Sequence, residues 1–246
     1  MHLNSEWIAS ELSKPPGLPP FSAVILDIDG VILDTEPTYR AAWIKAANNL
    51  GYPLNEEICL AYAGKSFAAI ETSVLELFGK EFPIEAFERL SAEIWHDNAK
   101  SDGIHKKPGI DDLLRTLQEL TIPFGLATNS SKASMQKCME YAGFSGVFGM
   151  LMTKDDVVQA KPAPDIYLAM AKALDVSPAN CLVVEDSETG LSAAIRAGTI
   201  PILIPDVCSI DVNIRSLAYA ELSSLLDLTL LIRKHYSGCA DKTQSL

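Results

Sequence analysis

The most constraining feature of this sequence is the stretch VILDIDGV at residues 24–31. Its apolar, β-favouring start predicts a buried strand, which delivers Asp27 and Asp29 into a turn at Gly30. Ligands of open parallel sheets bind at the carboxyl ends of the strands. Two carboxylates buried there repel each other unless a cation or a proton compensates their charge. Since Mg²⁺ prefers oxygen ligands, the stretch predicts a metal-assisted carboxylate site, and a simple turn or helix cap is the alternative.

Three later segments add polar residues after apolar runs or in a rigid loop. They read PFGLATNSS from residue 123, AKPAP from residue 160 and CLVVEDS from residue 181. The candidate site residues that they supply are Thr128, Asn129, Ser130, Lys161, Glu185 and Asp186. The ordered series D-x-D-G, T-N-S, K-P and E-D-S resembles the motifs of the haloacid dehalogenase superfamily. This resemblance runs from about residue 21 to the mid-220s.

Strand and helix patterns alternate from residue 21 onwards, which predicts a parallel sheet with helices on both faces. The predicted strands are 23–27, 124–128, 149–152, 181–185 and 201–204. About 90 residues separate the first two strands, too many for one crossover. This gap has helical patterns at 37–50, 55–62, 68–78 and 84–100. The predicted fold is α/β, a Rossmann-like doubly wound parallel sheet with an inserted all-helical domain, and the resemblance implies that this insert is a C1 cap over the active site.

The domain organisation follows from these patterns. Prolines at positions 15, 16, 19 and 20 prevent regular structure just before the first strand. From His235 onwards we expect a frayed or loosely packed tail. The predicted segments are an N-terminal extension (1–20), a core domain (21–37 and 107–234), a helical cap domain (38–106) and a C-terminal tail (235–246).

Composition narrows the classes of partner and environment. The formal net charge of −12 argues against a nucleic acid or an anionic membrane as partner. No apolar run approaches the roughly 20 residues that span a bilayer, and the N-terminus lacks the pattern of a signal peptide. The five cysteines have no zinc-site or disulfide-framework spacing, so we expect a reducing, cytoplasmic environment. We expect a monomer or weak dimer whose partner is a small phosphorylated metabolite.

The resemblance implies a catalytic role for four residues. Asp27 matches the nucleophile that forms an aspartyl-phosphate, and Asp29 matches the general acid and base. Lys161 would neutralise charge on the nucleophile and the phosphoryl group, while Thr128 would donate its hydroxyl to a phosphoryl oxygen. The implied cofactor is Mg²⁺. Its implied ligands are Asp27, Asp29 through its backbone carbonyl, and Asp186, while Glu185 would bind it through a water molecule or orient the other ligands.

Four further residues are expected to contact the substrate. Gly30 should adopt a positive φ, so that backbone amides face the phosphoryl group. Asn129 and Ser130 follow Thr128, and the Asn129 backbone amide would lie beside its hydroxyl. Lys65 lies in the segment GKSF, which matches the cap loop that faces the active site in this superfamily. The alternative for Lys65 is an ordinary solvated lysine.

The core assignments have simpler alternatives too. Thr128 and Ser130 could only cap the following helix, and Lys161 could be a solvated loop lysine. Glu185 and Asp186 could likewise cap the next helix. These alternatives require four coincidences in the same order along the chain, so we favour the functional interpretation.

The type of reaction depends on the cap. The motifs are most similar to those of the subgroup with β-phosphoglucomutase, sugar-phosphate phosphatases and phosphoglycolate phosphatase. In the mutase a cap-side histidine assists transfer about a dozen residues after the nucleophile, where this chain has Tyr39 with an ordinary pKa near 10. Phe67 also stands near the place of the mutase's arginine. We therefore expect a Mg²⁺-dependent phosphatase acting on a sugar phosphate or related phosphomonoester. The alternatives are a β-phosphoglucomutase-like phosphohexomutase and a non-catalytic binding or regulatory module.

Overall fold

The fold comes from a computed structural model that describes residues 17–62, 67–207 and 209–243, and their side chains except at 67–69 and 238–243. Within these residues, six parallel strands form one sheet in the order β3-β2-β1-β4-β5-β6. The strands are β1 (Ala23–Leu26), β2 (Phe124–Ala127), β3 (Leu151–Met152), β4 (Cys181–Glu185), β5 (Ile200–Leu203) and β6 (Ala220–Glu221). The predicted α/β class with a doubly wound parallel sheet is confirmed.

Strand β1 shows why the sequence reads as a continuous apolar run. Val24 and Leu26 belong to one buried cluster, and Ala23 and Ile25 belong to a second. Because side chains alternate across a strand, a strand covered by helices on both faces must be apolar at every position. All four residues are fully buried, so β1 is held rigidly from both sides.

The first four helices after β1 correspond to the helical patterns that the sequence predicts for the insert. They are α1 (Glu36–Asn49), α2 (Glu56–Leu60), α3 (Phe67–Phe78) and α4 (Ile84–Asp102). The helices that follow are α5 (Ile110–Glu119), α6 (Lys132–Tyr141), α7 (Asp165–Ala173), α8 (Glu188–Arg196), α9 (Val212–Arg215) and α10 (Leu225–Thr243). Among the described residues, no helix is both long and apolar enough to cross a lipid bilayer.

The two chain segments that connect the helical insert to the sheet run side by side. Leu33 forms an antiparallel bridge with Lys106, and the Lys107 amide donates to the Ile32 carbonyl at 2.9 Å. The Lys107 ammonium lies 2.7 Å from an Asp206 carboxylate oxygen, in the loop after β5. Lys107 is therefore held by the backbone at Ile32 and by the carboxylate of Asp206.

The C-terminal part differs from the expectations in two respects. Strand β6 was not predicted, because two residues are too short for a periodic pattern. The expected loose tail does not begin at His235, because α10 continues to Thr243. The rings of His235 and Tyr236 pack on Phe21, with centroids 5.4 and 5.7 Å from its ring. These contacts hold the last helix against the residues that precede β1.

Candidate active site

Two neighbouring parallel strands bring the acidic residues together. Leu26 of β1 is in register with Val184 of β4, and the Asp27 amide donates to the Val184 carbonyl at 3.1 Å. The residues that come next on each strand therefore meet at the same edge of the sheet. Asp27 and Asp186 are buried there, and Glu185 is fully buried.

Lys161 is the cation of this buried group. Its ammonium donates to Asp27 Oδ1 at 2.5 Å, to Glu185 Oε1 at 2.6 Å and to the Ala127 carbonyl at 2.8 Å. Only 2% of its side chain is exposed, so the alternative of a solvated loop lysine is wrong. The Asn129 side chain fixes the loop backbone, because its Oδ1 accepts from the Lys161 amide at 2.9 Å and its Nδ2 donates to the Lys161 carbonyl at 3.1 Å.

The Glu185 carboxylate is enclosed by donors of the protein. Its Oε1 accepts from Lys161 and from the Tyr167 hydroxyl, and its Oε2 accepts from the Ser187 hydroxyl at 3.1 Å. A Cβ at Gly190 would lie 2.0 Å from this carboxyl group. Only glycine lets helix α8 approach so closely, so the start of α8 forms one wall of the site.

Asp29 is held by hydroxyl groups. Thr35 donates to its Oδ1 at 2.8 Å, while Ser130 and Thr128 donate to its Oδ2 at 2.9 and 3.3 Å. The Ser130 amide in turn donates to the Thr128 hydroxyl at 3.0 Å. These bonds fix the direction of a half-buried carboxylate.

The buried carboxylates carry more negative charge than Lys161 balances. Burial raises the pKa of Asp27 to about 8, against a smaller lowering by Lys161. Burial, and then the charges of Glu185 and Asp27, raise the pKa of Asp186 well above its usual range. Burial lowers the pKa of Lys161, but the two adjacent carboxylates raise it by more, so this side chain remains a cation.

This charge excess fits a divalent cation. Carboxylate oxygens of Asp27, Glu185 and Asp186 lie within 4.8 Å of one another, a group of acidic ligands found within the described residues. Oxygen donors with excess negative charge are what Mg²⁺ requires. Gly30 has a φ of +84°, and a Cβ there would lie 2.1 Å from Asp186 Oδ2. The turn after β1 therefore leaves room for the Asp186 carboxylate.

The structure brings most of the predicted site residues together. Those that meet at this edge of the sheet are Asp27, Asp29, Gly30, Thr128, Asn129, Ser130, Lys161, Glu185 and Asp186. The helix-capping alternatives are wrong, because Ser131 and Ser187 cap α6 and α8 with their side chains. Lys65 lies outside the described residues, as does the side chain of Phe67.

Tyr39 lies on the helical insert close to Asp29. Its ring stacks on Trp95 and Trp43, with centroid distances of 5.2 and 6.1 Å. Its hydroxyl lies 3.7 Å from the Cys138 sulfur on α6. Burial, and then the charge of Asp29, raise the pKa of Tyr39 well above 10. The phenol therefore keeps its proton at neutral pH.

Three residues of the site were missed by sequence reasoning. Thr35 bonds Asp29, while Tyr167 and Ser187 bond Glu185. Ser187 stands next to the two acids in sequence, so its position after a strand was an available signal. Tyr167 occupies an apolar position of α7 that reads as ordinary core, and nothing in the local pattern indicates its polar contact.

The sequence profile of the haloacid dehalogenase-like hydrolase family matches residues 21–198. The chain belongs to this family. The match contains the four motif segments on which the resemblance was based, so that prediction is confirmed.

Relatives in this family include phosphatases and a mutase. The bifunctional riboflavin kinase/FMN phosphatase of Arabidopsis thaliana is 32% identical over 210 residues, which are 85% of this chain but 55% of that protein. This chain thus spans about half the length of that relative. The fructose-1-phosphate phosphatase of Escherichia coli is 29% identical, covering 72% of this chain and 93% of that protein. The β-phosphoglucomutase of Bacillus subtilis is 32% identical, covering 72% and 80%.

Solved structures show the same fold. A haloacid dehalogenase family hydrolase from Deinococcus radiodurans, with bound phosphate and sodium, aligns with a TM-score of 0.71 at 24% identity over 85% of this chain and 93% of that one. β-Phosphoglucomutase from Clostridium difficile aligns with a TM-score of 0.66 at 23% identity over 89% and 99%. At these identities the likeness supports the fold and leaves the reaction to be argued from the site.

Proposed function

We propose that this protein is a Mg²⁺-dependent phosphatase that hydrolyses a small phosphorylated metabolite, such as a sugar phosphate or a related phosphomonoester. The observation that carries the proposal is the Lys161 ammonium, buried between the carboxylates of Asp27 and Glu185 at the carboxyl edge of the sheet. The phosphatases among the relatives support the same class of reaction.

Asp27 is the proposed nucleophile. Its carboxylate attacks phosphorus and forms an aspartyl-phosphate, which water then hydrolyses. A carboxylate approaching a phosphate dianion meets strong repulsion, so fixed positive charge must lie beside it. Lys161 supplies that charge at 2.5 Å from Asp27 Oδ1, and the hydroxyl of Thr128 with the amides after Gly30 and at Asn129 would bind the phosphoryl oxygens.

Asp29 is the proposed general acid and base. It protonates the oxygen of the leaving group, and it then accepts a proton from the attacking water. The hydroxyls of Thr35, Thr128 and Ser130 hold its carboxylate in one orientation. When substrate binds, Thr128 and Ser130 would exchange their bonds to Asp29 for bonds to the phosphoryl oxygens.

Asp27, Asp186 and the Asp29 backbone carbonyl are the proposed ligands of Mg²⁺, and Glu185 orients them. The bound ion would supply charge neutralisation for the carboxylates and the phosphoryl group. We place the cap at residues 38–106 and assign Lys65 of its loop to substrate contact. Cap closure would exclude bulk water from the site and shape its substrate specificity.

Hydrolysis is favoured over the mutase reaction by Tyr39. A mutase needs a cap group near Asp29 that exchanges protons near neutral pH. The Tyr39 phenol keeps its proton there, and it is stacked on Trp95 and Trp43. It therefore acts as a neutral wall of the cap.

The test is phosphate release from hexose, pentose and polyol phosphates, phosphoglycolate and β-glucose 1-phosphate, with Mg²⁺ and with a chelator. We expect metal-dependent release by the wild type, no release by Asp27→Asn, and wild-type release by Asp111→Asn, a surface control that pairs with Lys106. Conversion of β-glucose 1-phosphate to glucose 6-phosphate without phosphate release would instead indicate a mutase. Absence of both reactions would indicate a binding module.

A further inference from the structure

Tyr167 is a buried polar residue that the proposed mechanism does not use. It lies on α7 beneath the sheet, in the same buried cluster as Ala23 and Ile25 of β1, and it is fully buried. Its hydroxyl donates to Glu185 Oε1. Its ring also faces Lys161, whose ammonium lies 4.8 Å from the ring centroid. One side chain thus contacts both members of the buried ion pair.

The contacts of Glu185 determine how Tyr167 can affect the reaction. Oε1 accepts from both Lys161 and Tyr167, and Oε2 accepts from Ser187. The carboxylate is fully buried and each of its oxygens has a donor. Glu185 therefore balances part of the Lys161 charge, and the remainder of that charge faces Asp27.

The Lys161 ammonium is shared between two carboxylates at nearly equal distances, 2.5 Å to Asp27 and 2.6 Å to Glu185. The Tyr167 hydroxyl takes up part of the hydrogen-bonding capacity of Glu185 Oε1. This bond weakens the attraction between Glu185 and the Lys161 ammonium, which competes with that of Asp27. Without that proton, Glu185 would draw Lys161 closer, since a buried carboxylate that loses a donor strengthens its remaining bonds. The charge next to the nucleophile would then decrease.

We propose that Tyr167 is a positioning residue for phosphoryl transfer, fixing the Lys161 ammonium against Asp27 through Glu185. The proposal rests on the proposed phosphatase function. Tyr167 lies behind the carboxylates, without exposed surface, so it acts on the chemical step and leaves substrate affinity unchanged. A packing role alone would be met equally well by phenylalanine.

The experiment compares Tyr167→Phe with a matched control, Thr116→Val. Thr116 is also fully buried, but its hydroxyl donates to the Asp112 carbonyl at 2.8 Å, on α5 and outside the site. For each protein we would measure kcat and KM with p-nitrophenyl phosphate. We would also measure the affinity for beryllium fluoride with Mg²⁺, which bonds to an aspartate as a phosphoryl mimic, by tryptophan fluorescence.

For Tyr167→Phe we expect kcat to fall about tenfold, with KM changed by less than about twofold, because a hydrogen bond to a charged group is lost from the chemical step. Its beryllium fluoride affinity should fall as well. Thr116→Val should keep wild-type kcat and affinity. Wild-type kcat and affinity in Tyr167→Phe would overturn the proposal, even if that variant melts earlier. An equal loss in Thr116→Val would also overturn it.

The two proposals fail in different ways. A wild type that hydrolyses none of the phosphomonoesters refutes the phosphatase function, while its beryllium fluoride binding still tests Tyr167. A wild type that hydrolyses them, beside an equally active Tyr167→Phe, refutes only the positioning role. A wild type that neither hydrolyses nor binds beryllium fluoride overturns both, because there is then no phosphoryl group to position.

Discussion

Replacing Gly30 by alanine tests the geometry of the candidate metal site. The residue has a φ of +84°, and the new Cβ would lie 2.1 Å from Asp186 Oδ2 and 2.7 Å from its carboxyl carbon. A positive φ costs an alanine about 1 kcal/mol or more. Displacing a carboxylate that is only 4% exposed adds about 1 to 3 kcal/mol, as in other overpacked interiors. The free energy of unfolding should therefore fall by about 3 kcal/mol.

Gly51 provides the matched control. Its φ is +86°, almost the same as that of Gly30, but a Cβ there would have nothing within 4 Å. Gly51→Ala should lose only the backbone part, about 1 kcal/mol. In a chain of this size about 1 kcal/mol corresponds to about 2–4 °C in Tm, so the difference between the variants is measurable.

The assay is urea unfolding in chelator and again with Mg²⁺. We expect the metal to stabilise wild type and Gly51→Ala equally, since it binds only the folded state. Gly30→Ala should gain much less, because the Asp186 carboxylate has been displaced. If the two variants lose equal stability and respond equally to Mg²⁺, the assignment of Asp186 to the metal site is wrong.

Other predictions concern charge and specificity. Because burial raises the pKa of Asp27 to about 8 and that of Asp186 above 3.8, the folded protein binds protons that the unfolded chain releases. The contribution of these two groups to the free energy of unfolding of the metal-free protein should therefore fall as the pH rises from 3.8 to about 8. Urea unfolding should show a smaller fall in Asp27→Asn than in the wild type, and equal falls in the two proteins would contradict this prediction. Lys161→Met should lower the free energy of unfolding of the metal-free protein at neutral pH by about 3 kcal/mol or more, since it leaves buried carboxylates unpaired; a loss below about 1 kcal/mol, typical of a surface pair, would refute it. Tyr39→His should add conversion of β-glucose 1-phosphate to glucose 6-phosphate, measured by coupled assay, and a wild type that already performs it would disprove the argument from Tyr39.

The sequence allowed the centre of the site to be predicted because most of its key residues follow a buried strand, while Lys161 lies in a proline-bounded loop. Asp27 and Glu185 come directly after apolar runs, and parallel pairing of β1 with β4 places both at one edge. This argument needs only local patterns and one rule of sheet geometry. It therefore predicted which residues meet, while leaving their hydrogen bonds open.

The hydrogen-bonding pattern depends on contacts between distant parts of the chain. Asn129 is hydrogen-bonded to Lys161, 32 positions away in the sequence, and Tyr167 is hydrogen-bonded to Glu185, 18 positions away. Side chains in such contacts have no periodic signature. Tyr167 reads as an apolar helix residue, and only the packing of α7 under the sheet turns its hydroxyl towards the acids.

In the fold too, local sequence patterns predicted the long elements, and contacts between distant residues determine the short ones. Helices α1, α3 and α4 were predicted within a few residues, because each spans three or more helical turns. Strand β6 and the packing of His235 on Phe21 depend on tertiary contacts alone. Short elements at the edge of a sheet form because a neighbouring strand offers hydrogen bonds, so the local sequence carries little information about them.

The central claim is that Asp27 carries the phosphoryl group during turnover, and the most direct test is to locate that group. The protein would be mixed with Mg²⁺ and its best phosphomonoester, quenched in acid within one turnover, and mapped by peptide mass spectrometry. We predict phosphate on Asp27 in the wild type and in Asp111→Asn, and none in Asp27→Asn. Phosphate on another residue, or steady release of phosphate by Asp27→Asn, would contradict the account.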